Sequence, residues 1–303
     1  MISRRHFLGL TAAAAGTSII GAADAFALEP RFSLAVKQWT VESPDWPAGA
    51  SPLRIGILTD LHAVEPWMPA HRIWDIARQL NAQKPDIIVL LGDYVSGLRP
   101  RYCTREIPVA EWMEPLQSLS APLGVYAILG NHDFWSGLAP DIRKCFRMAG
   151  IPLLENSARK MSLGTGHFWL AGLYDQLAPE SAGLRDVHAT LRHVSDHAPV
   201  VLLAHEPDIF AHVPRNITLT LSGHTHGGQV YIPFIGRPGF LASNARYAKY
   251  AYGHFQLEER HMIVSSGLGL SHVPIRFMVP PEIAIVTLRR PGQDLNDPLI
   301  LKA

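Results

Sequence analysis

Five short apolar runs in this chain each stop at a cluster of aspartate, asparagine or histidine, and that pattern limits the possible folds more than any other feature. Arg54 to Thr59 is followed by Asp60-Leu61-His62, and Asp86 to Leu91 by Gly92-Asp93. Gly124 to Leu129 runs into Gly130-Asn131-His132-Asp133, Val200 to Ala204 into His205-Glu206-Pro207, and Ile217 to Leu221 into Gly223-His224-Thr225-His226. Short, largely apolar runs of this length read as buried strands. Arg72 to Gln83 has helical spacing (Ile73, Ile76, Ala77, Leu80), and Glu111 to Leu119 reads as a shorter helix. Strands alternating with helices predict an α/β domain, and ligands of such sheets gather outside the carboxyl ends of the strands. Five polar clusters at five strand ends therefore predict one shared site.

The remaining chain adds strands at Phe32–Val41, Phe168–Leu173, Tyr252–Leu257, His261–Ser265 and Ile283–Leu288, with a helix over Leu184–Val194. Pro44 to Gly49 breaks the first of these. No repeat or shift of composition marks a boundary, so residues 28–303 read as a single domain with Pro291–Ala303 as a tail. Hydrophobic residues at 48% and charged ones at 17% exclude wholesale disorder. Lysine plus arginine number 27 against 26 aspartates and glutamates, which leaves no electrostatic footprint for nucleic acid. The only cysteines, Cys103 and Cys145, are too few for a disulfide scaffold or a thiolate zinc site. Histidine, the commonest metal ligand, is abundant at 15.

The spacings have a chemical reading. In extended chain residues i and i+2 point the same way, so Asp60 with His62, and His224 with His226, are expected to face one cavity. The glycines before Asp93, Asn131 and His224 are expected to allow sharp turns. Oxygen and imidazole donors without thiolate suit Mn, Fe, Zn, Ni or Co. Two such ions about 3.5–4 Å apart would bridge a phosphate and activate a water. Their four positive charges, set against Asp60, Asp93 and one hydroxide, leave an excess that favours an anionic substrate.

In order and spacing, Asp60-x-His62, Gly92-Asp93, Gly130-Asn131-His132-Asp133, His205 and Gly223-His224-x-His226 resemble the five blocks of the calcineurin-like metallophosphoesterases. Gly92-Asp93-Tyr94, Ser222 to Gln229 and the late Arg276-Phe277…Pro280-Pro281-Glu282 resemble its small exported phosphodiesterase branch, the YkuE/YaeI-like proteins. The resemblance implies a four-layer α/β/β/α sandwich, two mixed sheets flanked by helices. It implies a first ion on Asp60, His62, Asp93 and His226, and a second on Asp93, Asn131, His205 and His224. His132 would bind no metal and would contact phosphate or act as general acid. The implied reaction is hydrolysis of a phosphodiester or pyrophosphate bond by a metal-bridging hydroxide. A nucleotide-lipid pyrophosphate of the UDP-diacylglucosamine type is an alternative substrate. A non-catalytic envelope metal-binding protein would have lost His132 or a ligand, and every one is present. The protein-phosphatase pattern GDxxDRG is not met: Ser96 stands where its second acid would be and no arginine follows. That departure leaves His132 without its usual carboxylate partner.

Residues 1–27 read as a twin-arginine export signal: Ser3-Arg4-Arg5-His6-Phe7-Leu8, a mildly apolar stretch, and a small-x-small site at Ala25-Phe26-Ala27. The expected partner is the twin-arginine machinery and the expected location the periplasm or cell envelope. Export would permit a Cys103–Cys145 disulfide, though two buried thiols fit equally. Arg237 and Arg276 are candidate phosphate contacts. Asp133 is expected to brace the Asn131 loop, and Glu206 to support rather than catalyse. His254 and His272 flank late loops and are expected to stay off the substrate. The aromatic, Pro/Gly-rich stretch Tyr231 to Leu241, joined by Trp67-Met68-Pro69, is a packed loop or a rim for an apolar substrate part or a membrane surface.

Overall fold

A computed structural model describes residues 24–181, 184–238 and 249–293. The first 23 residues of the signal therefore lie outside the described residues, as do the end of the rim stretch and most of the tail. Eleven strands make two mixed sheets. The first has the order β1 (Ala35–Glu42), β11 (Glu282–Arg289), β2 (Leu53–Leu58), β3 (Ile87–Leu90), β4 (Val125–Ala127). The second has the order β9 (Gly253–Leu257), β10 (Arg260–Val264), β8 (Ile217–Ser222), β7 (Val200–Leu203), β6 (Gly166–Gly172), β5 (Ser157–Leu163). Within them β2, β3 and β4 run parallel, as do β6, β7, β8 and β10.

The apolarity of the central strands follows from burial on both faces. Val89 and Leu91 meet Leu203 and Leu221 between the sheets, while Ile88 and Leu90 face helices. Those helices are α1 (Ala70–Ala82), α2 (Val109–Gln117) and α4 (Ala139–Met148); α3 (Asn131–Trp135) is a short turn ahead of α4. In α1 the apolar residues Ile73, Ile76, Ala77 and Leu80 recur at helical spacing and are buried. On the outer face of the second sheet, Val200 and Leu202 pack with Val187 of α5 (Leu184–Leu191) and with Phe210. The result is the four-layer arrangement of helices, sheet, sheet and helix.

Two of the longer elements, α4 and β5, were not expected. In α4 the apolar stripe is only Ala139, Ile142 and Phe146, and Pro140 and four charges obscure it. Strand β5 buries only Met161 and Leu163 because it lies at a sheet edge, paired to β6 through a Gly164-Thr165 turn. Cys103 and Cys145 are separate free thiols, the latter on α4 and packed against the core. Among the described residues no helix is long and apolar enough to cross a membrane.

Candidate metal centre

Both sheets deliver the predicted ligands from the carboxyl ends of their parallel strands. Asp60 and His62 follow β2, Asp93 follows β3 and Asn131 follows β4; His205 follows β7, and His224 and His226 follow β8. All seven are buried. Asp60, His62 and His226 offer ligand atoms within 4.8 Å of one another, and so do Asp93, His205 and His224. His62 Nε2 stands 3.1 Å from His226 Nε2, and His226 Nε2 stands 3.4 Å from Asp60 Oδ1. The two groups meet at Asp93 Oδ2, which is 3.5 Å from His62 Nε2 and 3.2 Å from His205 Nε2. Asn131 Oδ1 lies 2.9 Å from His224 Nδ1.

Carbonyl partners assign the tautomers. His62 Nδ1 lies 2.7 Å from the Val95 carbonyl and His205 Nδ1 lies 2.6 Å from that of Leu91, so each Nδ1 carries the proton. Each Nε2 then turns a lone pair toward the centre, where His205 meets a carboxylate oxygen. Two electron-rich atoms hold that distance only with a positive charge between them. In the metal-free chain a proton serves: burial disfavours it, but the Asp93 carboxylate outweighs burial and raises the His205 pKa well above its ordinary value. Burial holds His62 and His224 down to about 3 and His226 well below its ordinary value, so all three are neutral and ready to donate to a metal. Burial also pushes Asp60 up to about 6, against the pull of His205. Two carboxylates, four imidazoles and an amide oxygen suit a dinuclear site for divalent ions.

The backbone reaches this arrangement by a different route from the extended one expected. Asp60, His62, Asp93, His224 and His226 all have left-handed φ, between 44° and 68°. Alternation along a strand therefore does not aim them; tight turns do, and His224 and His226 enter different groups. Left-handed backbone costs of order 1 kcal/mol per non-glycine residue. Hydrogen bonds hold the turns: His224 N–H donates to both Asp60 oxygens at 3.0 Å, and His132 N–H donates to Asp93 Oδ1 at 2.9 Å. Of the glycines, Gly92 has the positive φ expected of a turn (93°). Gly223 serves close approach instead, since a Cβ there would stand 2.1 Å from Thr59 Oγ1 and 2.4 Å from Asp60 Oδ2.

Asp133 does more than brace its own loop. Its carboxylate accepts backbone N–H groups from Gly130, Asp93, Tyr94 and Val95, tying the end of β3 to the start of α3. His132 joins His62 and Asp93 in a third group of ligand-distance atoms. Its ring lies 5.0 Å from that of His62, 5.2 Å from Trp135 and 6.4 Å from His272, centroid to centroid. Among the described residues no carboxylate hydrogen-bonds the His132 ring. Ser96 instead accepts the Leu98 N–H within its own loop.

Arg276 is no phosphate contact. It is fully buried, and its guanidinium donates to the carbonyls of Ser266, Gly267, Gly269 and Val279. It thereby fixes the turn behind Asp60, where Leu268 and Gly269 N–H bond the Thr59 and Asp60 carbonyls. Arg237 donates to the Gly227 carbonyl and lies over the Tyr252 and Tyr231 rings. His254 hydrogen-bonds His261 across the β9–β10 pair, away from the centre, whereas exposed His272 does approach His132. Met68 is core, while Phe234 and Ile235 are exposed.

Sequence reasoning missed Asp175. It is buried with Glu206 behind His205, and burial plus the Glu206 carboxylate pushes it up to about 10, so the pair holds one proton. Asp175 lies just past the end of β6, so the rule that found the other clusters extends to it.

The family profile of calcineurin-like phosphoesterases matches residues 53–228, the segment from β2 to the turn after β8. The metallophosphoesterase YkuE of Bacillus subtilis is 32% identical over 95% of this chain and 98% of its own length. Phosphodiesterase YaeI of Escherichia coli is 31% identical over 95% of this chain and all of its own. The solved TT1561 of Thermus thermophilus is 14% identical, with a TM-score of 0.44 over 72% of this chain and 91% of its own. With its ligand blocks inside the matched segment, this chain belongs to the calcineurin-like phosphoesterases and is a metal-dependent phosphoester hydrolase.

Proposed function

We propose that the enzyme cleaves phosphodiester or pyrophosphate bonds and works in the cell envelope. The observation that carries the first half is the meeting of two buried carboxylate–imidazole groups at one oxygen, Asp93 Oδ2, with His132 beside that junction. Asp60, His62, Asp93 and His226 would hold one divalent ion, and Asp93, Asn131, His205 and His224 the other. Bound there, the ions supply Lewis-acid activation and an acidified water. The chain's own part is to fix the geometry through carbonyl-anchored imidazoles and to hold a proton on His132. As a water oxygen bonds to phosphorus and the ester P–O bond breaks, the departing oxygen takes that proton. Diesters are favoured over monoesters because the candidate phosphate clamps are engaged elsewhere. Arg276 is spent on carbonyls, Arg237 is engaged by Gly227 and two tyrosines, and Gly97 rather than arginine comes after Ser96. Neither guanidinium is free to hold the second charge of a monoester.

Exposed Phe234 and Ile235, on the loop that Arg237 ties to Gly227 beside His226, favour a second reading. In it the substrate carries an apolar group, as a nucleotide-lipid pyrophosphate does, or the loop touches a membrane surface. The envelope location rests on the Arg4-Arg5 signal. Replacing both arginines with lysine should abolish delivery, and undiminished delivery would refute twin-arginine export.

Metal analysis of the purified protein, paired with hydrolysis of bis-p-nitrophenyl phosphate and p-nitrophenyl phosphate across Mn, Fe, Zn, Ni and Co, tests the chemistry. Two ions per chain and a preference for the diester are expected, and Asp93→Asn should lose both ions and turnover. A fully loaded protein that cleaves neither ester would overturn the proposal.

A further inference from the structure

A run of rings leads from the metal centre to the surface. His62 meets His132 at 5.0 Å and 83°, and His132 meets Trp135 at 5.2 Å and 66°. These edge-to-face contacts leave the last ring open: Trp135 is 56% exposed, and His132 is its only ring neighbour among the described residues. The indole is held by its polar edge, since Nε1 donates to the Leu177 carbonyl at 3.3 Å. Its position is also set from below, because it ends the short helix α3 that begins at Asn131. An indole held by its polar edge and more than half exposed is a preorganised stacking surface. Exposing so large an apolar ring costs free energy that a ligand ring recovers.

We propose that Trp135 stacks on an aromatic ring of the substrate, a nucleobase attached through its sugar to the phosphate that the metal centre holds. The inference rests on the phosphoesterase reading above and adds the chemical class of the organic group. The ring's place decides for a base over an acyl chain: it adjoins His132, beside the reacting phosphate, whereas the apolar side chains Phe234 and Ile235 stand on the separate loop after Gln229. Base–indole stacking tolerates any base, because each has a π face.

The test is binding of adenosine 5′-monophosphate and ribose 5-phosphate to the protein with its metals, measured by titration calorimetry. The two share sugar and phosphate and differ only in the base. The nucleotide should bind roughly five- to tenfold tighter. Trp135→Leu should bring it down to the affinity of ribose 5-phosphate, and Trp135→Phe should keep most of the advantage. Equal affinities in the parent protein, or an advantage that survives Trp135→Leu, would overturn the stacking role alone. A Trp135-dependent preference for phosphocholine over the nucleotide would overturn it in favour of a cationic ligand. Failure of both sugar phosphates to bind would overturn this inference alone, because the phosphate it hangs the base on would not be held, while the diester assay above tests the phosphodiesterase reading separately.

Discussion

Each ligand side chain here is set by what lies behind it. The carbonyls of Val95 and Leu91 choose the tautomers of His62 and His205, whereas His132 neighbours three rings and has no such partner among the described residues. His132 is thus placed to lose a proton without disturbing a metal. His132→Ala should keep both ions, by metal analysis, and slow turnover by about 10²–10⁴-fold. The loss should be larger for alkyl than for p-nitrophenyl esters, since a good leaving group needs little protonation. Loss of an ion would instead make His132 a ligand. Asp175 supports a prediction about pH. The folded chain keeps its proton up to about pH 10, while the unfolded chain releases it near the ordinary value of 3.8. The parent protein is therefore disfavoured increasingly as pH rises through that window. Asparagine has no proton to lose, so the melting temperature of Asp175→Asn should gain on the parent between pH 5 and 9. A gap independent of pH would show that Asp175 ionises normally.

At the level of elements, strand ends were the legible part of the sequence. The two-sided burial of β2, β3, β4, β7 and β8 makes them largely apolar, so each ends visibly at a cluster of aspartate, asparagine or histidine. Elements that bury one narrow stripe, α4 and β5, lack that contrast and were not found. The direction of the ligands was misread for a related reason: left-handed turns at Asp60, His62 and Asp93 leave no mark on non-glycine residues, whereas Gly92 does. Arg276 looked like an anion contact because composition does not tell a guanidinium facing carbonyls from one facing solvent. The four layers came from resemblance to a family rather than from periodicity, since strand order is a matter of contacts far apart in sequence. Gly223 marks where β8 must press against β2. Gly223→Ala should push Thr59 and Asp60 aside, costing about 1–3 kcal/mol of stability and emptying the Asp60–His62–His226 group first. Unfolding scans with metal analysis check this, and an unchanged melting point with full loading would show that the contact is slack.

Over the whole molecule, the ligands divide between the sheets: Asp60, His62, Asp93 and Asn131 from one, His205, His224 and His226 from the other. Ions that bind only this folded arrangement stabilise it by mass action, about 2.7 kcal/mol at a hundredfold excess over Kd. Chelation should therefore lower the melting temperature by several degrees and speed amide hydrogen exchange in both sheets together, with re-addition of metal restoring both. A loss of protection confined to one sheet would argue that the ions do not clamp the pair. The same division has a consequence for biogenesis. Neither sheet alone has a complete set of donors, so metal uptake must wait for the last stage of assembly, when the two sheets close. Because the candidate ligands are then buried, exchange with outside ions should be slower than uptake during assembly. The metal the enzyme carries is thus a record of the supply where the chain folded, whatever compartment it later occupies.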